Sequence, residues 1–72
     1  MNVNELIDKL HNTSEPKEQI KIADEILEVI PFEFGSLFTK AFAQMELGLI
    51  DEAIETFDIA LDFKPNVDID LA

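Results

Sequence analysis

The chain has no cysteine, no arginine and only two glycines, and no apolar run in its 72 residues exceeds three. Without cysteine there is no disulfide to staple a small core and no thiolate to hold zinc; the absence suits a reducing compartment. Without arginine, the positive side rests on five lysines against sixteen acids, a formal net charge of −11. Phosphate backbones and anionic bilayers repel such a surface, so no nucleic acid and no membrane are expected as partners. Apolar runs this short fall far below the roughly 20 residues needed to span a bilayer. The opening MNVNELIDKL lacks the basic stretch and apolar core of a secretory signal. A cytoplasmic location is the expectation.

What is present argues for a folded chain. Hydrophobic residues make up 47% of it, too many for a solvated acidic tail. Its length allows a single domain, residues 1–72. Chains of this size bury only about 60% of the surface that unfolding exposes, so stability is marginal unless a partner or a second copy contributes.

Apolar residues recur at spacings of three and four in four segments, the mark of amphipathic helices. The first runs over about 4–11, with Val3, Leu6, Ile7 and Leu10 on one side. The second covers about 16–30, with Ile20, Ala23, Ile26, Leu27 and Ile30. The third covers about 34–47, with Phe34, Leu37, Phe38, Ala41, Phe42 and Met45. The fourth covers about 50–63, with Ala53, Ile54, Phe57, Ala60 and Leu61. Asn12, Thr13 and Ser14 break the first from the second, and Pro16 suits a first helical turn. Pro31 stops the second helix, Gly48 ends the third, and Pro65 closes the fourth. No useful length alternates with period two, so the fold class is all-α.

Sliding the sequence on itself by 34 residues aligns Glu18 with Glu52, Ile20 with Ile54, Asp24 with Asp58, Leu27 with Leu61, and Pro31 with Pro65. A helix–turn–helix unit of that period is a repeat signature. The stretch from Leu37 to Asn66 resembles a tetratricopeptide repeat. Ala41 matches its small residue at the closest helix approach; Ala53, Phe57, Ala60 and Pro65 match its small–aromatic–small–proline series. The first half is similar but degenerate: Gln19 stands where a small residue is usual, and Ala23 and Ile26 trade large for small. Lys40 and Gln44 replace a leucine and an aromatic. The resemblance implies two antiparallel helix-turn-helix hairpins stacked as a short right-handed superhelix. Repeat 1 covers about 1–33, repeat 2 about 34–67, and a short tail 68–72. The buried set is expected to be Ile20, Ile26, Leu27, Leu37, Ala41, Ile54, Phe57 and Leu61.

Chemistry has few candidates. His11, the only histidine, has no cysteine or second histidine to join it in a metal site or triad; near a helix C-terminus it reads as a dipole-compatible polar residue. Asn66, Asp68 and Asp70 open with calcium-loop spacing, but Leu71 stands where that loop needs glycine. Asp51, Glu55, Asp58 and Asp62 form an acidic stripe that reads as a solvated face or as a docking site for a basic segment. No enzyme, cofactor or metal is expected.

Phe38, Phe42 and Met45 lie one turn apart beside the core strip of Phe34, Leu37 and Ala41, so the apolar arc is wider than one hairpin requires. The resemblance places these residues on the concave groove, with Asn4, Asp8 and His11 as its polar wall in the first hairpin. Family members that clamp a C-terminal carboxylate use groove lysines and asparagines. The corresponding positions here include Phe38, Thr39 and Phe42, which implies an apolar groove instead. The expected function is a protein-protein interaction module for a protein or peptide with apolar anchors and basic flanks. The alternative is a self-assembling scaffold without a separate peptide ligand, a homodimer formed by stacking the C-terminal hairpins or by exchanging helices.

Overall fold

The computed structural model describes residues 2–62, which form four helices: α1 (Val3–His11), α2 (Pro16–Val29), α3 (Phe34–Glu46) and α4 (Ile50–Asp62). No strand occurs among the described residues. Helix packing runs between chain neighbours, α1 on α2, α2 on α3 and α3 on α4. Connections this short fold consecutive helices back on one another as antiparallel hairpins. The tail expected at 68–72, the calcium-like spacing at 66–70 and Pro65 lie outside the described residues.

Each boundary has a local cause. Asn2 caps α1: its Oδ1 accepts from the Glu5 N–H at 2.8 Å, and Glu5 Oε1 accepts from the Asn2 N–H at 3.1 Å. At the other end, the Asn12 amide and the Thr13 hydroxyl donate to the carbonyls of Asp8 and Lys9. Pro16 sits in the first turn of α2, where its missing N–H leaves nothing unpaired. Gln19 donates from Nε2 to the Thr13 carbonyl at 2.7 Å and ties the first connection to α2. Ile30, kept out of helical geometry before Pro31 at φ −127° and ψ 87°, ends α2. Glu33 then caps α3, accepting from the N–H groups of Gly35 and Ser36 and from the buried Ser36 hydroxyl. At the end of α3, the Leu49 N–H donates to the Gln44 carbonyl and the Gly48 N–H to that of Met45. That is a Schellman motif, and it requires Gly48 at φ +80°.

The core has two compositions. Between α1 and α2 it is branched aliphatic: Leu6, Leu10, Ile22, Ala23 and Ile26, with Val3 and Ile7 packed against them. In the second hairpin it is small: Ala41, Ala53 and Ala60 are at most 1% exposed. Of the residues expected inside, Ile26, Leu37 and Ala41 are buried, and Ile20, Leu27 and Phe57 are half-buried. Ile54 and Leu61 correct the expectation, being 54% and 55% exposed. The inward arc of α4 is filled by Ala53, Thr56 and Ala60, at spacings of three and four, which leaves Ile54 and Leu61 on its flank. Ile22 is buried against α1 although its spacing places it outside the α2 stripe read from sequence.

The two polar departures in the second copy of the repeat have partners. Lys40 Nζ of α3 meets Asp24 Oδ1 of α2 at 2.7 Å. Gln44, 5% exposed, accepts from the Thr56 hydroxyl at 2.8 Å, and that hydroxyl also lies 2.9 Å from the Glu52 carbonyl. No buried side-chain polar atom among the described residues lacks a partner.

Two stability tests follow from this packing. Ala41 is wholly buried, so Ala41→Leu overpacks the α3–α4 approach and lowers stability by about 1–3 kcal/mol in urea unfolding. Thr56→Val strands the Gln44 amide and costs about 1–3 kcal/mol, whereas Thr56→Val with Gln44→Met removes both partners and recovers most of it.

Candidate functional site

The α3 helix winds about 100° per residue, so its side chains divide into faces. Leu37, Ala41 and Gln44 point inward and are buried. Lys40 reaches α2. Phe34, Phe38, Phe42 and Met45 share the remaining side, with Phe42 about 200° round the helix from Lys40. Phe34 and Phe38 stack at 5.3 Å between ring centroids. Phe38 meets Phe42 edge-on at 5.0 Å. From α4, Phe57 closes the cluster, 5.3 Å from Phe38 and 5.4 Å from Phe42, edge-on to both. Such arrangements set the positive ring edge against the negative face.

Phe38 is half-buried inside this cluster, whereas Phe42 and Met45 are 49% and 45% exposed. The apolar arc of α3 is thus wider than the hairpin covers. Asn4, Asp8 and His11 are exposed on α1. The described contacts bring Phe57, rather than these three, to the aromatic stripe. The signal for Phe57 was its helical spacing in α4, which marked it as apolar without showing which rings it would meet.

The flank of α4 extends the same surface. Ile50, Ile54 and Leu61 are each at least half exposed, and Phe57 lies beside them. Asp51, Glu55, Asp58 and Asp62 are also exposed, as a solvated acidic face requires. Elsewhere, a shallow depression of about 440 Å³ opens between α1 and α2, lined by Leu6, Glu25, Glu28 and Val29. It lies on the first hairpin, away from the aromatic cluster, and its two carboxylates give it no counter-charge. Among the described residues no group of three or more histidines, cysteines or acids is placed to hold a metal ion, and no helix is long and apolar enough to cross a membrane.

No family model, curated protein or solved structure matches the chain.

The ring geometry separates two variants by their effect on folding. Phe38→Ala removes contacts to three other rings and should cost about 2–3 kcal/mol. Phe42→Ala removes a half-exposed ring and should cost about 1 kcal/mol. Thermal melts of the two variants check this order.

Proposed function

We propose that the chain is a protein-protein interaction module of tetratricopeptide type, its hairpins stacked with the family's right-handed twist, which holds an apolar or amphipathic segment of a partner protein. The observation that carries this reading is the half-exposed pair Phe42 and Met45, continuous with the ring cluster of Phe38 and Phe57. Fixed aromatic rings beside a flexible thioether offer adaptable contact area to a short segment. The buried alanines at 41, 53 and 60 support the family reading, since they stand where that repeat needs small residues. Asn4, Asp8 and His11 form the polar wall of the groove in this reading. The charge of −11 selects partners with Lys or Arg flanks and speeds their encounter. Exposed ion pairs contribute only about 0–1 kcal/mol each, so affinity comes from covering the rings.

The alternative is a scaffold that self-assembles as a homodimer. Ten large hydrophobic residues are exposed among those described, a supply that two copies could bury against each other. Repulsion between two chains of charge −11 would make such a dimer tighten as salt screens it.

Selection of 12-residue displayed peptides against the intact chain tests the module. Enrichment of peptides with apolar anchors and basic flanks is expected. Phe42→Ala, checked for helix content by circular dichroism, should weaken them by roughly fivefold, the value of half a phenylalanine burial. Selected peptides that ignore both Phe42→Ala and Met45→Ser sink the groove. Light scattering at low and high salt reads the homodimer, and a monomer at hundreds of micromolar in both removes that alternative.

A further inference from the structure

The 34-residue offset and the packing of α2 together identify a second docking surface. Three of the repeat's identities, Ile20, Asp24 and Leu27, recur as Ile54, Asp58 and Leu61. In α2 these residues form one edge. Ile20 and Leu27 flank Asp24 one turn to each side, both are half-buried, and Asp24 reaches Lys40 of α3 at 2.7 Å. The opposite side of α2 carries Ile22 and Ile26, which pack with Leu6 and Leu10 of α1. The Ile–Asp–Leu edge of α2 is therefore the surface on which α3 lies. In α4 the same edge is bare: Ile54 is 54% exposed, Leu61 is 55% exposed, and Asp58 is exposed between them.

We infer that this edge of α4 receives an amphipathic helix of another protein, lying on α4 as α3 lies on α2, with a lysine or arginine paired to Asp58 as Lys40 is paired to Asp24. On α3, Leu37 stands three residues before Lys40 and Ala43 three residues after it, on the same side of the helix, both buried. The incoming helix therefore has an apolar residue, then a cation three residues on, then a small residue three further on.

Charge decides against a second copy as the occupant. Paired α4 edges would bring Asp51, Glu55, Asp58 and Asp62 of both copies together, and α4 contains no lysine. Head-to-tail stacking would offer α1, but the offset puts Leu6 where α3 has Lys40, and Leu6 is buried in its own hairpin. This edge adjoins the groove of Phe42 and Met45 through Phe57, and the two readings are told apart by their variants, at Ile54 and Leu61 here and at Phe42 and Met45 there.

The probe is a fluorescein-labelled peptide with the sequence of residues 34–46, constrained as a helix, titrated against the intact chain by anisotropy. Saturable binding is expected. Ile54→Asp and Leu61→Asp, both at exposed positions and checked for helix content by circular dichroism, should abolish it. Carrying Lys40→Glu in the peptide should weaken binding about fivefold, and Asp58→Lys in the chain should reverse that preference. An intact chain that binds no peptide overturns the proposal. Light scattering then tells a dimer lost on Ile54→Asp from a monomer whose α4 is covered by its own chain. Binding that survives Ile54→Asp and Leu61→Asp, or a charge preference that Asp58→Lys leaves unchanged, overturns it equally.

Discussion

The outer surface of the second hairpin is set by three alanines. Ala41 of α3 and Ala53 and Ala60 of α4 are buried in it, and none of the three is more than 1% exposed. Small residues let two helix backbones approach closely, but the same closeness leaves no room between them for large side chains. Phe38, Phe42 and Met45 of α3 and Ile54, Phe57 and Leu61 of α4 are displaced to the flanks, where neighbouring helices cover them only in part. An alanine seam also removes little apolar area from water per residue. Much of the hydrophobic driving force of this hairpin therefore remains available to whatever covers those flanks.

The first hairpin solves the packing problem differently. Leu6, Leu10, Ile22 and Ile26 fill the space between α1 and α2, so large residues are used inside rather than at the margin. Polar pairs then fix how the helices register. Lys40 and Asp24 join α3 to α2, and Gln44 and Thr56 join α3 to α4. The first pair is partly solvated and contributes little energy. The second is buried, and its value lies in the cost of any slip that would leave the amide unpaired. α3 is thereby fixed on both sides, which holds the aromatic stripe in one orientation.

The helices were legible from apolar spacing and from Pro16, Pro31 and Gly48, and their boundaries up to the start of α4 agree with that reading to within about one residue. Burial was less legible. Ile20 and Ile54 are the same residue at positions 34 apart, yet the first is half-buried while the second is 54% exposed. Periodicity marks a side of a helix as apolar; what lies against it depends on the next element in the stack. Lys40 and Gln44 read as departures from a pattern because their partners, Asp24 and Thr56, are 16 and 12 residues away, beyond the reach of spacing within one helix. The aromatic stripe was legible as an excess of apolar arc, and its union with Phe57 came only from how α4 folds back.

Packing that runs chiefly between chain neighbours has a kinetic meaning. Few contacts between helices have to wait for a distant part of the chain to arrive, so the loop-closure entropy that slows non-local folds is small here. The stack behaves as a one-dimensional array in which each interface supports the next. α2 and α3 are each held from two sides, while α1 is held by α2 and α4 by α3. Among the described helices, local opening therefore starts at α1 and α4 and moves inward, and the backbone amides of α2 and α3 are the last to meet solvent. The helix that carries the bare Ile54–Asp58–Leu61 edge is also one that frays early, and a partner seated there would slow the unravelling of the whole array.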